Sequence, residues 1–320
     1  MPTKPRLVMF GTGDFALPTF ELLCESGHDV RALVTQPDRP QGRKQELIPS
    51  RIKQYALGRG IPVFQPEDVN AADSLAHIAA LTPDLFVTAA YGQILSADLL
   101  GIPPLGGVNL HGSILPSYRG AAPVARAIQN GETEAGVTVI RMTPRIDAGG
   151  MIAVARTPVD PAETAGELED RLSRIGAPLI VGTIPSLVDG TAQVLPQRKS
   201  KVTRAPKLRK DDGLIDWTKS AQEVHNQVRA MQPWPGASTP WKREGIEAAE
   251  FRLMIHKTEV DEAEGQRGEP GTVLEALGDR FVIAAGRGAV SILVVQMAGR
   301  KSMPAADFLR GFQLSGERLG

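Results

Sequence analysis

Cysteine is nearly absent from this sequence: Cys24 is the only one in 320 residues. A single thiol excludes an intramolecular disulfide, and no Cys/His cluster has the spacing of a zinc site, so no metal is expected. Net charge is missing as well, because 36 Lys and Arg offset 36 Asp and Glu. No global field therefore draws the chain to nucleic acid or anionic lipid, and a polyanion has to be met locally. No apolar run approaches the roughly 18–20 residues that span a bilayer. The opening segment MPTKPRLVMFGTGDF lacks the apolar stretch and small-residue cleavage site of a signal peptide. The expectation is a cytoplasmic protein with no membrane partner.

What is present is an ordinary folding composition, 42% hydrophobic and 22% charged, in a chain about twice the usual single-domain length, which favours two globular units. Over the first 190 or so residues, short β-branched runs alternate with helical stretches, the grammar of an α/β fold with a doubly wound, mostly parallel sheet. Strands are expected at 7–11, 30–35, 62–65, 84–89, 107–110, 137–142 and 151–156. Helices are expected at 18–25, 50–59, 71–81, 121–130 and 164–187, with Ser50 and Thr164 as caps. Residues 190–208 read as a linker. Beyond them, one helix at 221–231 stops at Gln232-Pro-Trp-Pro-Gly236, since prolines two residues apart cannot continue it. Short strand-like runs at 251–256, 272–277, 281–285 and 290–296 and a helix at 305–310 then suggest a small OB-like β-barrel. Trp217, Trp234 and Trp241 are expected to anchor this second domain's core and interface.

Five segments could carry chemistry or contacts to a ligand. Gly11-Thr-Gly-Asp-Phe-Ala16 fits a dinucleotide fingerprint in form, but Asp29 and Asp38 are both misplaced for the acid that holds a ribose, which counts against a nicotinamide-dependent oxidoreductase. The loop 35–50 is long for a strand-to-helix connection and is made positive by Arg39, Arg43 and Lys44. Asn109-Leu-His111-Gly-Ser113-Ile-Leu-Pro116-Ser-Tyr-Arg-Gly120 places an amide and an imidazole on one face at the end of a strand, where open α/β sheets bind ligands. Asp147, in the turn Thr143-Pro-Arg-Ile-Asp147-Ala-Gly-Gly150, could orient the imidazole if the fold brings it there. An amide, an imidazole and a carboxylate without a serine or cysteine nucleophile suit acyl transfer directly to a substrate's amine. Finally, QRKSKVTRAPKLRK at 197–210 holds seven basic residues, Lys207 and Arg209 among them, and no acid. It reads as a solvated linker or as a local nucleic-acid contact.

The segments GTGDFA, VTQPDRPQGRK, NLHGSILPSYRGAAPVARAI, DAGGM, RAPKL and QPWPGAST, in this order and spacing, resemble bacterial methionyl-tRNA formyltransferases across essentially the whole chain. Two departures are mild: Gly13 stands where the family usually has proline, and Ile114 alters its Ser-Leu-Leu-Pro signature. The resemblance implies transfer of a formyl group from 10-formyltetrahydrofolate to methionyl initiator tRNA in translation initiation. It implies catalytic roles for Asn109, His111 and Asp147, and a folate-binding role for Ser113, Ile114, Leu115 and Pro116. It also implies tRNA contacts from Arg39, Arg43, Lys44, Lys207 and Arg209. The corresponding division is a formyltransferase catalytic domain (residues 1–189), a basic linker (190–208) and a tRNA-binding β-barrel (209–320), acting as a monomer. Rival readings are a formyltransferase acting on an amino sugar nucleotide and a non-catalytic RNA-binding module. The latter leaves the polar trio without purpose.

Overall fold

A computed structural model describes residues 4–41, 46–242, 250–265, 267–312, 314 and 317–320. In chain order the first elements are β1 (Arg6–Gly11), α1 (Leu17–Glu25), β2 (Asp29–Val34), β3 (Pro40–Gln41), β4 (Glu46–Leu47), α2 (Arg51–Gly58), β5 (Val63–Phe64), α3 (Ala72–Ala80) and β6 (Leu85–Ala89). Next come α4 (Ala97–Leu100), β7 (Gly107–His111), β8 (Arg119–Gly120), α5 (Pro123–Gln129), β9 (Glu134–Arg141), β10 (Met151–Pro158), α6 (Ala165–Val188) and β11 (Arg204–Ala205). The remainder is α7 (Ala221–Ala230), β12 (Ala237–Lys242), β13 (Glu250–Glu262), β14 (Val273–Leu277), β15 (Arg280–Ala284), β16 (Ala289–Met297), β17 (Met303–Pro304) and α8 (Ala305–Gly311). The chain forms two compact units. The first comprises Met1–Pro123, Glu134–Pro158 and Glu169–Pro206, the second Val124–Thr133, Val159–Leu168 and Lys207–Gly320.

The first unit is built on a seven-stranded sheet in the order β10-β9-β7-β6-β1-β2-β5. Strands β5, β2, β1, β6 and β7 run parallel, and the β9–β10 hairpin adds two antiparallel strands at one side. Successive residues of β1, Leu7 to Phe10, are all buried although they alternate in direction, so both faces of the sheet are covered. On one face Val8, Phe10, Val34, Phe86 and Tyr91 pack with Ile78 and Leu99 from α3 and α4. Caps start the helices where expected. Ser50 accepts from the Lys53 N–H, and Thr164 exchanges hydrogen bonds with Glu167 at the start of α6. Strand β1 has β6 on one side and β2 on the other, so the strand order reverses there and opens a crevice beyond the carboxyl ends.

The second unit is antiparallel, in the order β12-β13-β16-β15-β14 with β17 beside β16. Residues 317–320 reach both outer strands: Leu319 bridges Trp241 of β12, and the Val273 N–H of β14 donates to the Glu317 carbonyl. The two edges are thereby joined and the sheet closes, which removes the exposed edges that an open antiparallel sheet would present. Trp241 is fully buried against Phe308 and hydrogen-bonds Glu317, while Trp217 is buried with its N–H on Thr239. Of the three indoles expected to anchor core and interface, Trp234 lies outside the core. Its residue is 51% exposed, because the turn that carries it is held by its neighbours, with Pro233 against Gly166 and Pro235 against Gly213.

Candidate active site

Strand β7 is buried except at Asn109, and its register sets Asn109 beside Thr88 and Ile140, and His111 beside Thr138. Asn109 and His111 are two residues apart in an extended strand and share a face. His111 is buried; its Nε2 lies 2.9 Å from the Tyr118 carbonyl and its Nδ1 3.5 Å from Asp147 Oδ1. A carbonyl only accepts, so Nε2 carries a proton, and Nδ1 faces the carboxylate. The Asn109 amide makes no side-chain hydrogen bond among the described residues and is half-buried, which leaves its donors open to a ligand.

Asp147 is held in a left-handed backbone conformation, φ +48°, a state that costs a non-glycine residue of order 1–3 kcal/mol and persists only where the surroundings enforce it. Its Oδ2 accepts from the Gly120 N–H at 2.9 Å. Gly120 itself must be glycine, since at φ +129° a Cβ would stand 2.4 Å from the Ala205 carbonyl oxygen across the β8–β11 pair. Gly149 is equally constrained, as a Cβ there would collide with the Arg141 carbonyl. The loop after β7 is pinned by its own hydroxyls. Ser113 donates to the Ser117 carbonyl, and Thr138 donates to the Ser113 carbonyl while accepting from the Leu115 N–H. Ser113 and Leu115 are buried, with Ile114 and Pro116 half-buried between and beyond them.

The structure therefore brings Asn109, His111 and Asp147 together with the 113–116 loop at the carboxyl edge of one sheet. Of the basic residues, Arg39 is exposed and ion-paired with Glu67 at 2.7 Å, a contact worth little against solvent. Arg43 and Lys44 lie outside the described residues. Lys207 and Arg209 are exposed at the start of the longest segment of the second unit. The fingerprint at Gly11 is a tight strand-to-helix turn in which Gly11 abuts Ala16. Asp38 is no ribose acceptor, for Lys53 and Gln65 both donate to it and Lys53 holds its carboxyl below the usual range. Among the described residues no group of three His, Cys, Asp or Glu is placed to hold a metal. Residues that sequence reasoning did not single out are Tyr118, Gly120 and Gln197. The first two stand in the segment read for Asn109, His111 and the 113–116 loop, and Gln197 in a run read only for its charge.

An amide donor, an imidazole and a carboxylate gathered at the carboxyl edge of a doubly wound sheet form an arrangement that suits acyl transfer. Residues 5–184 match the family model described as formyl transferase, and residues 207–313 match the formyl transferase C-terminal domain. The chain belongs to the formyl transferase family. It is 42% identical over 316 residues to the methionyl-tRNA formyltransferase of Moorella thermoacetica, covering 98% of this chain and 99% of that protein. The protein of the same name from Geobacter sulfurreducens is 43% identical, covering 98% and 96%. Among solved structures, an N-formyltransferase from Helicobacter canadensis in complex with folinic acid and dTDP-3-aminofucose aligns with TM-score 0.64 at 19% identity, covering 92% of this chain and 99% of that one. HypX from Aquifex aeolicus with tetrahydrofolic acid aligns with TM-score 0.61 at 19% identity, covering 95% and 46%. At that identity the two structures speak to the fold.

Proposed function

We infer that this protein transfers the formyl group of 10-formyltetrahydrofolate to the α-amine of methionine esterified to initiator tRNA, giving N-formylmethionyl-tRNA. The observation that carries the reading is the Asn109–His111–Asp147 cluster, with its open amide, in a chain matched end to end by methionyl-tRNA formyltransferases. The folate co-substrate supplies an activated formyl carbon. Residues Ser113 to Pro116 are the segment assigned to hold it, a role suited to a loop whose backbone is fixed by Thr138 and Ser117 before any ligand arrives.

As the amine nitrogen bonds to the formyl carbon, the formyl oxygen gathers negative charge. The Asn109 amide donates to that oxygen, an interaction whose removal costs about 2.7–4 kcal/mol where it has been measured in other enzymes. His111 Nδ1 receives the proton shed by the amine and returns it to the departing folate nitrogen as the old carbon–nitrogen bond breaks. Asp147 keeps the ring in register and faces the nitrogen that changes its proton. Holding both substrates in one frame supplies much of the remaining acceleration.

The tRNA is assigned to the basic segments. Lys207 and Arg209, the barrel of residues 209–320, and the 35–50 loop with Arg39, Arg43 and Lys44 form the RNA-facing set. Residues 1–189 form the catalytic domain, with 190–208 as a linker, and the enzyme works as a cytoplasmic monomer. No helix among the described residues is long and apolar enough to cross a membrane. The test is formyl transfer from 10-formyltetrahydrofolate to methionyl initiator tRNA, to uncharged tRNA and to an amino sugar nucleotide in parallel. Transfer to the charged initiator alone supports the reading, and transfer to the sugar alone replaces it with the rival formyltransferase activity.

A further inference from the structure

Gln197 has no role in the chemistry above, yet its amide is saturated on both sides. Its Nε2 donates to the Asp147 carbonyl at 2.8 Å and to the Gly149 carbonyl at 2.7 Å. Its Oε1 accepts from Arg119 Nε at 3.0 Å and Nη2 at 2.7 Å. Arg119 is the chain neighbour of Gly120, whose N–H donates to Asp147 Oδ2. These contacts close a ring around Asp147: backbone carbonyl to Gln197, Gln197 to Arg119, Arg119 through the peptide to Gly120, and Gly120 back to the carboxylate. The ring is braced from outside, because β8 pairs with β11, the Tyr118 N–H donates to Thr203 Oγ1 and the Arg119 N–H donates to the Thr203 carbonyl. Tyr118 also supplies the carbonyl that fixes His111 Nε2.

A left-handed Asp147 is not self-supporting. A glutamine is the side chain whose amide can offer two donors to the carbonyls of that turn while both lone pairs of its oxygen receive a guanidinium fork. We propose that Gln197 is a positioning residue that holds Asp147, and through it His111, in the geometry of formyl transfer. The proposal rests on the assignment of Asp147 to the reacting cluster.

Steady-state and single-turnover formylation of methionyl initiator tRNA tests it with the full chain and Gln197→Glu, Arg119→Met, Asp147→Asn and the two doubles with Asp147→Asn. Glutamate keeps an oxygen for Arg119 but loses both donors to the Asp147 turn. Gln197→Glu is expected to lower kcat roughly 10- to 100-fold, with KM for both substrates within about twofold of wild type. Added to Asp147→Asn it should cost less than about twofold more, because residues acting through one another are not additive. Should Gln197→Glu fail to fold, Arg119→Met opens the other half of the ring and is held to the same standard in the Asp147→Asn background. Unchanged kcat in the single variants, or a loss that multiplies undiminished on top of Asp147→Asn, overturns the proposal. If Asp147→Asn itself is fully active, the assignment of the site fails instead, whatever Gln197 does.

Discussion

In the first unit five parallel strands stop at one level, and the Asp147 turn and the loop after β7 meet at the carboxyl end of β7; in the second, antiparallel strands return through turns and residues 317–320 close the sheet. The first arrangement gathers backbone and side-chain groups from distant parts of the chain at one edge. The second uses residues 317–320 for closure and leaves Lys207 and Arg209 exposed, while Arg229 is buried within it. A parallel sheet is thus the natural place for a constellation such as Asn109, His111 and Asp147, and a closed antiparallel sheet the natural place for a broad, charge-based contact.

The sharpest break in that division of labour is Asn109→Ala. It should cost roughly 10²–10³ in kcat with tRNA affinity unchanged, as measured by single-turnover formylation beside an equilibrium binding assay. His111→Ala and Asp147→Ala should behave alike, and weak tRNA binding with normal turnover would move any of them out of the catalytic cluster. Next in size, replacing Lys207 and Arg209 by alanine should raise KM for tRNA several-fold while leaving kcat intact. The dependence of log Kd on log salt should flatten by about one for each phosphate no longer neutralised.

Smaller effects separate the units by their response to acid. In the second unit His225 donates and accepts between Pro161 and Thr258, and burial pushes its imidazole below the ordinary 6.5. The folded state therefore prefers the neutral ring. Its contribution is full above 6.5 and is lost as the pH falls toward the lower folded value. His225→Gln should make the urea midpoint less sensitive to that window. In the first unit Asp84, bonded to Arg6, is held at about 2 against an ordinary 3.8. Its contribution is present above 3.8 and lost as the pH falls through about 2. Because Arg6 is 37% exposed, Asp84→Asn should lower Tm by no more than about 2 °C near neutrality, and by less in acid.

Much of this was legible from residue order alone. The alternation of β-branched runs with capped helices located nearly every element of the first sheet, because its inner strands β1, β6 and β7 are buried on both faces and leave a plain hydrophobic signature. Strand β12 was missed, since Pro240 argues against a strand. It is tolerated there on an outer strand, where its carbonyl still accepts from the Gly320 N–H. The amide and imidazole on β7 could be read from their spacing of two. That Asp147 lies 3.5 Å from His111 could not, for it depends on the β9–β10 hairpin turning antiparallel beside β7. The ring through Gln197 was further from view, since its partners stand 50 and 78 positions away along the chain.

The uneven burial of the indoles has a practical corollary. All three tryptophans lie within Lys207–Gly320, two sealed in the core and Trp234 open to solvent. Tryptophan emission from this protein consequently reports on the antiparallel unit, whereas its three tyrosines, Tyr55, Tyr91 and Tyr118, all lie in the parallel one. Its iodide-quenchable, red-edge fraction belongs to a single side chain, so the molecule carries a dye at a known address without labelling.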